Sequence, residues 1–140
     1  SLFWTPDIII CNDWQTSLVP SLLKKQFIQE DFYSDIKSVY MIHSINNYRK
    51  FSKSVYNMLD LEPFQEGKQI DNHIQAMESA DLTIILNYES EKLMDKLKKQ
   101  KNLLDKIEST NHIIIDIPKK TNREVWDNVA NIVEAACRNL

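Results

Sequence analysis

The residues of this chain best able to do chemistry stand directly behind apolar runs. Asn12, Asp13, Trp14 and Gln15 follow the strand-like DIIIC, and His43 and Ser44 close the run SVYMI. They bring a carboxylate, two amides and a hydroxyl that hydrogen-bond, an indole with a stacking face, and an imidazole that changes charge near neutral pH. Apolar β-rich runs ending in polar loops are the pattern of a buried parallel sheet. Ligands of such sheets bind beyond the carboxyl ends of the strands. The loops to watch are therefore 12–15, 43–47, 87–90 and 118–121.

Other chemistries are excluded by residue type or spacing. Gly67 is the only glycine. A dinucleotide fingerprint or P-loop needs several, because only glycine lets backbone approach phosphates so closely. His73 and His112 are too far apart in pattern for a metal site, and no H-x-x-x-H or C-x-x-C spacing exists, so zinc is unsupported. Ser17 and Ser90 lack the glycine-flanked elbow of a serine hydrolase. Asp81 and Asp116 fall at opposite ends of their strands and form no acid/base pair.

The elements that position the loops read in order. Strands are expected at Asp7–Cys11, Ser38–His43, Asp81–Leu86 and His112–Ile117. Thr16 or Ser17 caps the first helix, which has Pro20 in its first turn and Leu18, Val19, Leu22, Leu23 and Phe27 as its apolar stripe. A short helical piece over Ser52–Leu59 ends at a Leu-Glu-Pro stop. Gly67 stands near the start of the next helix, whose face is Ile70, Ile74 and Met77. A long charged helix runs from about Ser90 to Glu108 with Leu93, Leu97, Leu104 and Ile107 inward, and Lys96, Lys98, Lys99 and Lys101 read as its solvated face. Thr121 and Glu124 form a capping box for a last helix with Val125, Val129, Ile132 and Ala136 on one side. Strands alternating with helices imply an α/β fold, a parallel sheet flanked by helices in a Rossmann-like or flavodoxin-like three-layer sandwich.

With 140 residues, 43% hydrophobic and 26% charged, the chain is the size of one ordinary domain, so residues 1–140 are expected to form one. A net charge of −3 offers no basic field for nucleic acid. No apolar run approaches the ~20 residues that span a bilayer, so no membrane partner is expected. Cys11 and Cys137 read as buried free thiols, which points to a reducing, cytoplasmic compartment. Ser1–Thr5 reads as the tail of something earlier, with Leu2, Phe3 and Trp4 apolar and lacking a partner in sequence.

Three segments carry a resemblance. PDIIICNDWQTSLVP resembles the stretch P-D-[IV]-[IV]-H-x-H-D-W-H-[TA]-[AG]-L-x-P of the glycogen and starch synthases. SVYMIHSINNY resembles their next strand and turn, x-V-[FY]-T-[IV]-H-N, and QIDNHIQAMESADLTIILNYESEKLM is similar to N-x-x-K-x-G-[IL]-x-x-[AS]-D-x-[IV]-x-T-V-S. The three occur in the family's order over roughly Trp4–Met94, and the match fades beyond.

The resemblance implies half of the N-terminal, acceptor-side domain of a GT-B glycosyltransferase. Such enzymes pass glucose from ADP-glucose to an α-1,4-glucan with retention, without a metal and with no further cofactor. The family's K-x-G-G-L segment and its C-terminal domain have no counterpart in this sequence, so the chain alone is expected to be inactive. His43 falls on the histidine that contacts the donor glucose, and Asp13 with Trp14 on the acceptor-side D-W pair. Asn12 and Gln15 stand where the family has histidines around that pair, and Ser44 where it has asparagine. Arg49 and Lys50 stand near its usual Tyr-Gln-Gly, and Asn87-Tyr88 replace Val-Ser. Each position stays polar but loses the expected group.

Each residue also has a plainer reading. His43 could bond a sugar hydroxyl or a phosphate, or be satisfied by backbone carbonyls. Asp13 could bind sugar hydroxyls or cap the following helix, and Trp14 could stack on a sugar or pack its loop. Tyr40, Tyr48, Phe51 and Tyr56 could form a glucan-facing surface, an interface or core. The alternative function is a non-catalytic module of the same ancestry that binds glucan or a protein, with a partner or a second copy covering Leu2–Trp4. A flavodoxin-like domain with accidental similarity is the third reading, disfavoured by the lack of acidic clusters at the strand ends.

Overall fold

A computed structural model describes residues 4–27, 30–31 and 33–140. Its centre is a parallel sheet of β1 (Ile8–Asn12), β2 (Lys37–Ile42), β5 (Leu82–Tyr88) and β6 (His112–Ile117), in the order β1-β2-β5-β6. The register sets Ile10 against Val39, Met41 against Ile84 and Ile85 against Ile114. Strands β3 (Lys50–Ser52) and β4 (Gln69–Asp71) form a separate antiparallel pair.

Side chains alternate across the sheet, so one apolar run feeds two cores. Tyr40, Ile42 and Ile85 face helices α3 (Asn72–Ser79), α4 (Leu93–Lys98) and α5 (Lys101–Ser109), where they meet Ile74, Met77, Leu93, Leu97, Leu103 and Ile107. Val39, Met41, Ile84 and Ile115 face α6 (Arg123–Arg138), against Val129, Val133, Ala136 and Cys137. The result is the expected three-layer α/β arrangement. Tyr56 of α2 (Lys53–Met58), Leu61 and Ile70 make a third cluster that takes Leu18, and Leu22 at the end of α1 (Val19–Leu22). Both cysteines are free, Cys11 buried and Cys137 half-buried. No helix among the described residues is long and apolar enough to cross a membrane. Leu2 and Phe3 lie outside the described residues, and Trp4 is exposed.

Several expectations are corrected. The long helix over Ser90–Glu108 is broken into a 3₁₀ turn, α4 and α5, with Gln100 out of helical conformation (φ −123°, ψ 80°) at the second break. Leu97 and Leu103 are six residues apart, a spacing no unbroken helix puts on one face, so Leu103 packs inward and Leu104 is only half-buried. The last helix is capped by Asn122, whose side chain accepts the Val125 N–H at 3.0 Å, not by Thr121. Ile132 is 47% exposed; Val133 takes its place inward because the buried face also includes Cys137, which shifts its centre to Val133's side. Thr16 and Ser17 do not cap α1: their hydroxyls donate to the carbonyls of Asp13 and Trp14. Phe27 leaves the apolar stripe for the surface, where its ring meets Tyr33 edge-on. Gly67, at φ 121°, leads into β4, and Ile70 belongs to that strand rather than to the helix after it.

Candidate functional site

β1 ends by pairing the Asp13 N–H with the Met41 carbonyl at 2.8 Å, and the chain then turns sharply. Asp13 sits at φ 56°, ψ −170°, a conformation that costs a non-glycine residue about 1–3 kcal/mol. A 3₁₀ turn over Trp14–Thr16 follows, and Asp13 puts no side-chain hydrogen bond into capping it. Instead its carboxylate is 3% exposed and turned toward the end of β2. Ser44 Oγ donates to Asp13 Oδ2 at 2.6 Å, and His43 Nδ1 lies 3.4 Å from the same oxygen.

Among the described residues nothing donates a hydrogen bond to Asp13 Oδ1, which lies 3.6 Å from Nε2 of His73, in the first turn of α3. His73 is fully buried. Its Nε2 is 2.8 Å from the Ser44 carbonyl, which can only accept, so the ring proton sits on Nε2. Nδ1 then accepts from the Tyr40 hydroxyl at 2.7 Å. Burial holds the imidazole below its ordinary value, so it is neutral, and burial first, with Asp13 and Asp71 adding to it, pushes the Tyr40 phenol up.

A second layer fixes the first. Asp71 Oδ1 accepts the His73 N–H at 3.0 Å, and Asp71 Oδ2 accepts Arg49 Nε at 2.9 Å. Arg49, 2% exposed, also donates to the Asn46 carbonyl at 2.6 Å and to the side chain of Gln100. The turn after β2 is thereby tied to the junction of α4 and α5. Nearby, Tyr56 donates to Asn72 within the core.

At the surface, Trp14 stacks on Tyr48 with centroids 5.8 Å apart at 27°, and Phe51 meets it edge-on at 6.5 Å. Tyr48 is 73% exposed, whereas Tyr40 and Tyr56 are core. Asn12 and Gln15 are exposed to either side of Asp13 and Trp14. Along the same sheet edge, the ends of β5 and β6 border a cavity of about 430 Å³ lined by Asn87, Glu89, Lys92 and Asp116, with Asn87 Nδ2 donating to Asp116 Oδ1 at 2.7 Å.

The arrangement brings Asp13, His43 and Ser44 together and sets Trp14 beside them, while Asn12 and Gln15 stay outside the network. Asp13 is buried and bonded to Ser44, and it lies beside His43, whose ring is 36% exposed. His73 and Asp71 are the participants that sequence reading missed, the signal being a polar residue, His73, on an otherwise apolar helix face; Arg49 enters that reading only through its place near the family's Tyr-Gln-Gly. Among the described residues no group of three acidic, histidine or cysteine side chains is placed to hold a metal.

A parallel sheet with a polar site at its carboxyl edge defines a Rossmann-like domain of the kind glycosyltransferases use. Residues 1–105 match the starch synthase catalytic domain family, and the chain belongs to that family. It is similar to the glycogen synthase of Clostridium perfringens, 43% identical over 67 residues, covering 46% of this chain and 14% of that protein. The glycogen synthase of Chlorobaculum parvum is 35% identical over 86 residues, covering 58% of this chain and 18% of its own. That of Clostridium botulinum Alaska E43 is 58% identical over 45 residues, covering 31% of this chain and 9% of its own. The chain thus spans less than a fifth of the length of these relatives. β6 and α6 lie beyond the family match.

Proposed function

We propose that residues 1–140 form one Rossmann-like unit of the acceptor-side half of a glycogen or starch synthase, acting in the cytoplasm. In the complete enzyme the reaction is transfer of glucose from ADP-glucose to an α-1,4-glucan. The observation that carries this reading is the stack of half-buried Trp14 on exposed Tyr48 beside the Asp13–His43–Ser44 cluster. Aromatic faces suit the C–H groups of glucose, and a half-exposed imidazole backed by a carboxylate suits a sugar hydroxyl. In this reading His43 contacts the donor sugar as the catalytic-side group. Trp14 and the exposed amides of Asn12 and Gln15 meet the glucan, and Asp13 and Ser44 orient His43 and its loop. The reaction needs groups held from both sides of a cleft, so the isolated chain binds without turning over.

Amide NMR of the chain, titrated with maltoheptaose and then ADP-glucose, tests this. Shifts confined to 12–15 and 43–48 support it. Silence toward both ligands at millimolar concentration, or glucosyl transfer by the chain alone, overturns it. A non-catalytic glucan- or protein-binding module is the second reading, favoured by Asn12 and Gln15 lying outside the polar network; a partner or second copy would then cover the surface around Trp4. Binding of maltoheptaose without ADP-glucose, retained when residues of the complete protein are restored, distinguishes it.

A further inference from the structure

Beside the Arg49–Asp71 pair lies a cavity of about 410 Å³ that none of the roles above uses. Arg49, Lys50 and Lys101 line it, with the amides of Gln69 and Asn102 and an apolar floor at Ile74. Among the described residues Asp71 is the only acid on its wall, and both of its carboxylate oxygens are already engaged, by Arg49 and by the His73 N–H. The cavity therefore holds three cations against one bonded carboxylate.

Two further features add to its positive field. Arg49 bonds protein through one N–H on each of its three nitrogens, which leaves two of a guanidinium's five N–H groups without an acceptor among the described residues. Gln100 stands at the start of α5 but gives its side-chain oxygen to Arg49, so it does not cap the helix. The positive dipole end of that nine-residue helix thus stands at the cavity wall with Lys101 and Asn102, its Gln100 and Leu103 N–H groups bonded to the Leu97 and Gln100 carbonyls.

We infer that this cavity binds a small phosphorylated, hydroxyl-bearing molecule. Lys50 and Lys101 take the phosphate dianion, and Gln69 and Asn102 take its hydroxyls. A singly charged carboxylate would leave the cavity's excess charge uncompensated, and a neutral polyol would forgo it altogether. Of the lysines expected to form a solvated face, Lys101 is the one drawn into this wall.

Amide NMR of the 140-residue chain at fixed ionic strength, titrated with glycerol 3-phosphate, inorganic phosphate and glycerol, tests the assignment. Saturable shifts at Lys50, Gln69, Lys101 and Asn102 with glycerol 3-phosphate, weaker with phosphate and absent with glycerol, are expected. Lys50→Gln and Lys101→Gln should each weaken binding about fivefold, while Lys119→Gln, an exposed lysine elsewhere, should not. Both cavity lysines are exposed, so these variants fold. Equal affinity for phosphate and glycerol 3-phosphate overturns the role of Gln69 and Asn102. Non-saturating shifts at lysines across the whole surface, silence, or unchanged binding in the double variant overturns the site. Shifts around Trp14 and Tyr48 report the glucan reading separately, so either proposal can fail without the other.

Discussion

The hydroxyl of Tyr40 lies 2.7 Å from Nδ1 of His73, with both side chains wholly buried. Neither group titrates to its charged form without losing that bond or paying for a buried charge. The pair fixes the tautomer that lets His73 hold the Ser44 carbonyl, and it does so from the strand behind the site.

His73 should make stability pH-dependent in acid. Its native form is held below the ordinary value of 6.5, so the unfolded chain takes up the proton first. Stability is full above that value and falls as pH drops through it, by at most about 1.4 kcal/mol per pH unit, levelling off only below the native value. Burial lowers the native value, the Ser44 carbonyl, Asp13 and Asp71 oppose the lowering, and Arg49 reinforces it. His73→Leu strands the Tyr40 hydroxyl and the Ser44 carbonyl, at a cost of about 2–4 kcal/mol in urea. The variant should also lose the acid slope; an unchanged slope would sink the assignment.

Arg49→Met should cost about 3 kcal/mol, because it leaves the largely buried Asp71 carboxylate, 11% exposed, without its charge partner. Asn46 should lose order in the same variant, read as faster amide exchange over 46–49. A variant as stable as the parent would show that the guanidinium is dispensable.

Cys11 should act at the alkaline end. Burial pushes its thiol from 9.0 up to about 11, so the unfolded chain ionises first as pH rises. Stability is complete below 9.0 and declines between that value and about 11. The difference in melting temperature between the parent and Cys11→Ala, followed from pH 8 upward, should shrink over that window. A constant difference would contradict it. At neutral pH the Cys11 thiol should also resist disulfide reagents for as long as the fold persists.

Tyr48→Ala should weaken maltoheptaose binding about tenfold with little change in stability, since the ring is 73% exposed. Trp14→Ala should weaken binding at least as much and also loosen Phe51. Full affinity in both would remove the aromatic stack from the binding surface.

What could be read from the sequence follows the range of the interactions concerned. The four sheet strands announce themselves because a strand buried on both faces must be a short, nearly continuous apolar run, as in SVYMI and LTIIL. Strands β3 and β4 are three residues each and carry one apolar residue apiece, too little for any alternation to show. The break at Gln100 is hidden because its cause is tertiary: Arg49, 51 residues earlier, takes the side chain that would otherwise stay local. His73 is missed for the same reason, as its partners Tyr40 and Ser44 lie on another strand and loop. The Asp13, His43 and Ser44 positions are legible as strand ends, but that Asp13 points inward is decided by its backbone turn.

β6 pairs with β5 from Thr83 to Tyr88, yet it is contributed by residues outside the stretch that matches the family. A polypeptide cut at 105 would end within α5 and leave that side of β5 bare, an open row of amides and carbonyls flanked by isoleucines. Such a row recruits strands from neighbouring molecules. Residues 106–140 thus move that open row outward from β5 to β6 and lay α6 over the sheet face beside it.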